Sequence, residues 1–390
     1  MAEIVFFCIP AHGHTNPTLG VVRELVSRGH RVHYYSYEPF REKIEAAGAV
    51  FVPCDDYDLE RRLSPKDSAR IGRDLAFSTK ILVDTTIALD GAILRDMQAL
   101  KPDCIVADSM AVWGKAIAGK LDIPFVSSTT TFAFNEHSAK VMKQGLKELL
   151  GLLFAMPKIN YQLKRLQKAG YPIKNILEIL QNDNDTHTIV YTSPEFQPFS
   201  DTFSDKYVFV GPSIRPIADT FAKKREKLVY LSMGTVNNDM LPLYRRWVEA
   251  FRDSPCQVVL SVGNQVDLKA FGTLPEHIQI FPSVDQIAVL EKADAFVTHC
   301  GMNSVSEALW FGVPLVLLPQ TAEQNGVAER VLELGAGIRP EQDGDLRRAV
   351  ERLLSDPAYR ANAQRIADTF HACPGAKGAA DKILSLCRKP

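Results

Sequence analysis

The sequence lacks the features by which several common protein classes are recognised. No G-x-x-x-x-G-K-[ST] segment occurs in the 390 residues, which excludes P-loop phosphate chemistry. No apolar run reaches the ~18 residues that a membrane-spanning helix needs. The net charge is only −1, which argues against a general affinity for nucleic acid or for an anionic membrane. Repeats and low-complexity tracts are also absent, so a globular fold is expected.

Paired cysteines are missing as well. The seven cysteines are an odd number and include no C-x-x-C pair, a pattern typical of reduced thiols. The first apolar segment, EIVFFCIP, is shorter than a signal peptide and has no basic region before it. With 46% hydrophobic and 23% charged residues, the composition is ordinary for a soluble protein. We therefore expect a soluble cytoplasmic protein.

Strand-like and helix-like segments alternate along both halves of the chain. The apolar runs Ile4–Ile9 and Leu228–Ser232 are each followed by a helical pattern, over Thr18–Arg28 and Leu241–Arg252. Repeated alternation of this kind predicts an α/β fold with parallel, doubly wound sheets.

Two segments of the first half depart from this alternation. Residues 54–80 are polar and irregular, longer than an ordinary connection, and the next helix is predicted only over Thr85–Leu100. The stretch Asn135–Lys168 has a helical pattern that we expect to be interrupted at Gly151 and Pro157.

A proline-rich stretch suggests how the domains are divided. Prolines recur between Pro194 and Lys224 without a long periodic segment, and Pro374-Gly375 precedes a last helix. We predict an N-terminal domain over 1–200, a linker over 201–224, a C-terminal domain over 225–373 and a C-terminal helix over 374–390. Two such halves would face each other across a shared cleft at the ligand-binding edges of their sheets.

Residues 295–324 have the pattern of a strand, a polar turn, a helix and a second strand. His299 and Gly301 lie in the turn, and the helical pattern runs from Asn303. Ligands bind at this end of a parallel strand, and the free N–H groups of a helix N-terminus suit a phosphate. The same residue types also cap helices routinely, so a simple cap is the alternative. Further polar residues expected at this sheet edge are Ser304, Glu307, Glu323 and Gln324.

The first turn, residues 10–17, reads PAHGHTNP and does not match the G-x-G-x-x-G pattern of dinucleotide folds. It presents His14 at the end of the first strand, and an imidazole with a pKa near ~6.5 suits removal of a proton from a hydroxyl. Asp108 follows another apolar strand, and a carboxylate beside the imidazole would hold its tautomer. Alternatively, the two are capping residues that never touch.

Three weaker signals remain. Cys300 lies in the polar turn without an assignable base, so we interpret it as a small filler. An apolar group after the fifth strand is either core or the lining of a second-substrate pocket. Its members are Phe132, Phe134, Met142, Phe154, Met156 and Tyr161, of which the first four are the candidate acceptor residues. Strings of the form D-x-D suggest a metal, but they lie in polar stretches without histidine, which favours solvated loops; they are Asp56/Asp58, Asp183/Asp185 and Asp343/Asp345.

These motifs resemble those of the UDP-glycosyltransferase family, glycosyltransferases with the GT-B fold. The matching segments are THCGMNS at 298–304, Glu307, GVP at 312–314 and Glu323-Gln324. The first turn is similar to the family's G-H-x-N-P element. AHGHTNPTLG and PQTAEQ are most similar to the bacterial macrolide-glycosyltransferase type. The resemblance covers the whole chain and implies two doubly wound Rossmann-like domains facing a central cleft, with the C-terminal helix returning to the first domain.

The resemblance also implies roles for individual residues. His14 matches the catalytic base and Asp108 its partner. Residues implied to hold the donor diphosphate are Thr235, His299, Gly301, Asn303 and Ser304. The resemblance implies that Val284 and Gln286 contact the nucleotide base and that Glu307 binds the ribose. It implies that Glu323 and Gln324 bind the sugar. Asp285 stands where the family commonly has proline, which leaves uracil selectivity open.

The implied activity is inverting, metal-independent transfer of a sugar from a UDP-sugar to a hydroxyl of an apolar small molecule. By resemblance the sugar is glucose, and the acceptor is a macrolide, a flavonoid or another polyphenol. The UDP-sugar is a co-substrate and no cofactor is expected. No nucleic-acid partner and no stable membrane association are expected either. The alternatives are a nucleotide-sugar epimerase, a catalytically silent nucleotide-sugar binder and a lipid-acceptor glycosyltransferase. The donor nucleotide, UDP or dTDP, and the oligomeric state stay open.

Overall fold

In the computed structural model, the chain divides into two compact units. The first comprises Met1–Tyr191, Gln197–Ser213 and Pro374–Pro390, and the second comprises Thr192–Phe196 and Ile214–Cys373. The predicted linker, 201–224, is divided between the two. The structure describes residues 1–54, 64, 67, 70, 74–135, 137, 146–171, 173, 184–217, 220–234, 240–341 and 346–387, with the backbone alone for 146–154.

The first unit contains, within these described ranges, a seven-stranded parallel sheet in the order β3-β2-β1-β4-β5-β6-β7. Its strands are β1 (Glu3–Phe7), β2 (Arg31–Ser36), β3 (Val50–Pro53), β4 (Cys104–Asp108), β5 (Phe125–Thr129), β6 (Thr188–Val190) and β7 (Tyr207–Phe209). The helices before its C-terminal segment are α1 (His12–Ser27), α2 (Arg41–Ala46), α3 (Leu75–Leu100), α4 (Val112–Leu121) and α5 (Leu146–Lys168). The strands are mostly buried, as expected of a parallel sheet whose two faces are covered by helices.

Two helices of this unit begin earlier than the sequence predicts. Helix α1 begins at His12 rather than Thr18 and continues through Pro17 in its second turn, where proline removes one intrahelical hydrogen bond. Helix α3 begins at Leu75 rather than Thr85, because the Asp74 side chain accepts a hydrogen bond from the Phe77 backbone N–H at 3.0 Å. The polar segment that we predicted over 54–80 is therefore shorter than expected.

The interruption predicted in α5 was wrong. The helix continues through Pro157, although this residue cannot donate a backbone hydrogen bond. Tertiary contacts support it on the C-terminal side of the proline: Ile159 is fully buried in the core, and Arg165 donates to Asp84 of α3 at 2.5 Å. Packing has overridden the local preference, as it commonly does for helices.

The second unit contains, in its described part, a six-stranded parallel sheet in the order β10-β9-β8-β11-β12-β13. The strands are β8 (Leu228–Ser232), β9 (Gln257–Ser261), β10 (Ile278–Phe281), β11 (Ala295–Thr298), β12 (Leu315–Leu317) and β13 (Gly337–Ile338). The helices are α6 (Leu241–Ala250), α7 (Gln286–Leu290), α8 (Met302–Trp310), α9 (Ala322–Glu333), α10 (Leu346–Ser355) and α11 (Pro357–His371). Strand β13 is too short to leave a signal in the sequence, and it was not predicted.

The last helix, α12 (Gly375–Leu386), belongs to the first unit. The Gly375 N–H donates to the Val210 carbonyl at 2.9 Å, and Arg28, the residue directly after α1, donates to Asp381 at 2.5 Å. Its apolar face, which includes the fully buried Ile383, joins the core of that unit. The predicted return of this helix to the N-terminal half is confirmed. Across the described helices, none has both the length and the apolar character required to cross a bilayer.

Gly114 of α4 lies directly against the strand that ends at Asp108. A Cβ atom at this position would be 2.4 Å from the Ala107 Cβ and 3.1 Å from Cδ2 of Phe7. Protein cores are packed too densely to accept such an atom without movement of the helix or the sheet. Glycine here therefore lets α4 approach β4 closely.

Replacing Gly114 by alanine is expected to lower the free energy of unfolding by about 1–3 kcal/mol, because the added methyl overpacks the contact between helix and sheet. Gly119→Ala in the same helix is the matched control, since nothing lies within 4 Å of its added Cβ. This control should be neutral or more stable by about 0.5–1 kcal/mol, from helix propensity. Urea unfolding of the two variants makes the comparison. Equal midpoints would contradict the close approach at Gly114.

Candidate functional site

His14 lies in the first turn of α1, the helix that follows the carboxyl end of β1 after a short turn. Its backbone N–H donates to the Ala11 carbonyl at 3.1 Å, and its side chain is 21% exposed. The strand-to-helix turn thus holds the imidazole at the sheet edge where α/β folds bind ligands.

Asp108 ends β4, the strand beside β1, and its Oδ2 lies 2.8 Å from His14 Nδ1. The other carboxylate oxygen, Oδ1, accepts a hydrogen bond from the Met110 backbone N–H at 2.9 Å. An ionised carboxylate only accepts hydrogen bonds, so the imidazole proton lies on Nδ1 and the lone pair on Nε2. The structure therefore brings together the two residues whose contact the sequence left open.

Thr130, which the sequence analysis did not select, joins this pair. It follows β5, which pairs with β4 so that Ser128 lies opposite Asp108. The Thr130 Oγ1 atom is 3.1 Å from His14 Nδ1, and the residue is buried. No local motif marks this threonine. The only feature of the sequence that could have indicated a role for Thr130 is its position just after β5. That position becomes informative only when β5 is known to lie beside β4.

The other residues near the first turn have different surroundings. The His12 ring is 4.9 Å from the Phe40 ring, and burial together with the nearby Lys43 lowers the pKa of His12. Among the predicted acceptor residues, Phe132 is buried and Phe134 is partly buried. Met142 and the Phe154 side chain lie outside the described part of the structure, so the acceptor pocket stays a prediction.

In the second unit, the His299 ring lies between two glycines just after β11. A Cβ on Gly234 would be 2.6 Å from His299 Cε1, and a Cβ on Gly301 would be 2.7 Å from His299 Nε2. Gly234 also has a φ of 80°, a conformation that favours glycine. The position of this ring thus depends on the absence of side chains on both neighbours.

The environment of His299 keeps its imidazole neutral. Burial lowers the pKa of His299, because the charged ring would lose its hydration. Its Nδ1 is buried and has no hydrogen-bond partner within the described residues. A buried N–H without an acceptor is rarer than a buried lone pair without a donor. We therefore assign the proton to Nε2, the nitrogen nearest Gly301, where it can be donated to a ligand.

The N-terminus of α8 lies beside this ring. Gly301 is its N-cap residue and, as a glycine, has no side chain with which to cap the helix. The predicted phosphate-binding residues Asn303 and Ser304 lie in the first turn and are partly exposed. Cys300 before it is fully buried, and burial raises the pKa of its thiol to about 12. The thiol is therefore protonated at neutral pH, in agreement with its interpretation as a small filler.

Gln286, Ser304 and Glu307 form a single hydrogen-bonded cluster. The Gln286 Nε2 group donates to Glu307 Oε2 at 2.5 Å and to Ser304 Oγ at 3.3 Å. The hydroxyl of buried Tyr230, which the sequence analysis did not select, donates to Gln286 Oε1 at 3.2 Å. Burial raises the pKa of Glu307, and the hydrogen bond from Gln286 opposes that shift. The Gln286 amide thus supports the Glu307 carboxylate.

Asp285, at the position where the resemblance led us to expect proline, has a local structural role. It is the N-cap of α7, where its side chain accepts from the Ala288 backbone N–H at 3.4 Å, and it forms an ion pair with Arg215. Its side chain is only 8% exposed. Val284, the preceding residue, is partly buried. The Asp285 carboxylate therefore takes part both in a helix cap and in an ion pair.

Gln324 takes part in a capping box at the start of α9. Its Oε1 accepts from the backbone N–H groups of Gln320 at 2.8 Å and Thr321 at 3.2 Å. For a ligand it therefore offers mainly the amide nitrogen. Glu323 beside it is exposed. Thr235, expected at the diphosphate, lies outside the described residues.

A metal centre does not emerge from the part of the chain that the structure describes, where no three His, Cys, Asp or Glu side chains are grouped to hold an ion. The D-x-D strings at 56/58 and 343/345 lie outside that part. Of the string at 183/185, only Asp185 is described, and it forms an ion pair with Lys206 at 2.9 Å.

Comparison with known proteins places the chain among glycosyltransferases. Residues 249–386 match the family described as Erythromycin biosynthesis protein CIII-like, C-terminal domain. The uncharacterized UDP-glucosyltransferase YdhE of Bacillus subtilis is 32% identical, covering 100% of this chain and 99% of that protein. Demethyllactenocin mycarosyltransferase of Streptomyces fradiae is 31% identical, covering 99% and 87%. The crystal structure of the glycotransferase of kitacinnamycin matches with a TM-score of 0.86 at 28% identity, covering 99% and 98%.

Sugar transfer is the activity that the names of these relatives share, and it therefore takes precedence over the epimerase and silent-binder alternatives. The two parallel-sheet units match the GT-B architecture that the sequence predicted. The chain belongs to the UDP-glycosyltransferase family, in which it is most similar to the bacterial macrolide-glycosyltransferase type, and it is an enzyme that transfers a sugar from a nucleotide sugar.

Proposed function

We propose that this enzyme transfers glucose from UDP-glucose to a hydroxyl of an apolar natural product, with inversion at the sugar carbon and without a metal ion. His14 is the general base and Asp108 its partner. The observation that carries the proposal is the 2.8 Å contact between His14 Nδ1 and Asp108 Oδ2. This contact fixes the tautomer that a general base requires.

The proton chemistry belongs to the first unit. His14 Nε2 removes the proton of the acceptor hydroxyl as the oxygen attacks the anomeric carbon of the sugar. The new glycosidic bond forms on the face opposite the leaving diphosphate, and the bond from the anomeric carbon to the phosphate oxygen breaks. The resulting imidazolium is stabilised by the buried Asp108 carboxylate.

Stabilisation of the leaving group belongs to the second unit. The diphosphate gains negative charge as it departs, and fixed hydrogen-bond donors stabilise such charge most effectively where water is excluded. His299 offers Nε2–H, and the N-terminus of α8 offers backbone N–H groups and the positive end of the helix dipole. Asn303 and Ser304 add side-chain donors in the same turn.

Neighbouring residues of the second unit bind the ribose, the base and the sugar of the donor. Glu307, oriented by Gln286, accepts hydrogen bonds from the ribose hydroxyls. Val284 lies beside the nucleotide base, while Glu323 and the amide nitrogen of Gln324 bind sugar hydroxyls. The acceptor is a macrolide, flavonoid or other polyphenol, in keeping with the apolar character of Phe132 and Phe134.

His14→Ala is expected to lower kcat by ~10²–10⁴, the range typical of removing a general base. The affinity for UDP should change little, because the proposed nucleotide-binding residues lie in the other unit. Steady-state kinetics and calorimetric titration with UDP measure the two effects. His12→Ala is the matched control, since His12 lies in the same turn but its ring packs against Phe40. Unchanged turnover in His14→Ala would remove this residue from the mechanism.

Treatment with EDTA is expected to leave turnover unchanged, since the helix N-terminus and His299 provide the stabilisation that D-x-D enzymes obtain from a metal. Turnover is measured before and after chelation, and again after Mg²⁺ is added back. Loss of activity with EDTA and its recovery with Mg²⁺ would contradict the proposed account of the leaving group.

A coupled assay of nucleoside diphosphate release identifies the substrates. UDP- and dTDP-sugars are combined with a panel of hydroxylated apolar acceptors, and product mass confirms transfer. The proposal predicts the highest turnover with UDP-glucose and release that depends on the acceptor. NMR of UDP-glucose incubated without an acceptor tests for epimerisation, and a new nucleotide sugar in that sample, together with no acceptor-dependent release, would contradict the proposed transfer of glucose.

A further inference from the structure

We propose that Thr130 is a positioning residue for His14, which it holds through a hydrogen bond from Nδ1–H to Oγ1. This inference rests on the proposed role of His14 as the general base. Thr130 itself is not proposed to exchange a proton with either substrate.

The direction of this hydrogen bond follows from the number of protons at Nδ1. A neutral imidazole carries one N–H, and Asp108 as a carboxylate accepts that hydrogen at 2.8 Å. Thr130 Oγ1, 3.1 Å from the same nitrogen, therefore meets an N–H and not a lone pair. The threonine oxygen acts as a second acceptor, and the Nδ1–H is shared between Asp108 and Thr130.

The two acceptors come from neighbouring strands of one sheet. Asp108 ends β4, and Thr130 comes directly after β5, which is hydrogen-bonded to β4. Both residues are buried, with Asp108 3% and Thr130 4% exposed. A β-branched side chain such as threonine has a restricted χ1 angle, so its hydroxyl is held in place once the backbone is fixed.

Two acceptors constrain the ring more than one does. A single hydrogen bond from Nδ1 to Asp108 still allows the imidazole to pivot about that bond, and a pivot moves Nε2 at the far side of the ring. A second acceptor at Nδ1 opposes the pivot. Loss of Thr130 Oγ1 should therefore lower kcat, which depends on the position of Nε2, and should leave the KM for the nucleotide sugar unchanged.

The test compares Thr130→Val with Thr129→Val, its neighbour in the chain. Thr129 is equally buried, but its hydroxyl has no hydrogen-bond partner within the described residues. Both variants exchange a buried hydroxyl for a methyl group, so they differ mainly in the contact with His14. Thr130→Ser keeps the hydroxyl, and Thr130→Ala removes it without adding a methyl group. Thermal unfolding of each variant checks that it is folded.

With the best acceptor from the release assay, Thr130→Val and Thr130→Ala are expected to lower kcat about three- to tenfold, the effect of one ordinary hydrogen bond. The KM for the nucleotide sugar should stay constant, Thr130→Ser should recover most of the activity, and Thr129→Val should match the wild type. In a His14→Ala background, Thr130→Val should cause no further loss, because the residue acts through the missing ring.

Equal kcat in Thr130→Val and Thr129→Val would overturn the inference while leaving the role of His14 intact. A further loss from Thr130→Val in the His14→Ala background would also overturn it, because the threonine would then act independently of the imidazole. Full turnover in His14→Ala alone is a separate result, which refutes the proposed base and with it the basis of this inference.

Discussion

Parallel pairing of short, buried strands is the constraint on which both halves of this protein depend. A strand buried on both faces is mostly apolar, so polar side chains suited to chemistry tend to lie at its last residues or just beyond its end. In a parallel sheet those ends meet at one edge, and there β1, β4 and β5 bring His14, Asp108 and Thr130 together. The second sheet repeats the arrangement with His299 after β11 and Gly234 after β8. Separate segments of sequence thus become single sites without any long-range motif.

The two histidines illustrate how environment assigns different tasks to the same side chain. His14 is partly exposed and its Nδ1 contacts a buried carboxylate, which supports a positive charge on the ring when it takes up a proton. Burial lowers the pKa of His299, and the structure supplies no carboxylate at its Nδ1 within the described residues. A neutral ring can donate a hydrogen bond from its protonated nitrogen to an anionic ligand. One histidine is suited to moving a proton and the other to holding an anion.

Much of the second site consists of residues that orient other residues. Tyr230 holds the Gln286 amide, and this amide holds the Glu307 carboxylate, while Asp285 starts the short helix that carries Gln286. Groups that must meet a ligand with little rearrangement need such support, because a free side chain loses entropy when it is ordered. Gln286, which the resemblance implies at the nucleotide base, is itself a member of this hydrogen-bonded cluster.

The sequence by itself determined every described strand except β13, and most of the helices, because apolar periodicity is a local property. It also determined which residues are chemically suited to base catalysis and to phosphate binding, since side-chain type and position after a strand are read directly. The structure alone decided which residues are neighbours: β5 lies beside β4, so Thr130 reaches His14, and Gln324 uses its amide oxygen to cap a helix. It likewise decided that α5 continues through Pro157. Strand order, capping partners and packing across a core depend on interactions between segments that are distant in the chain. No local sequence pattern contains that information.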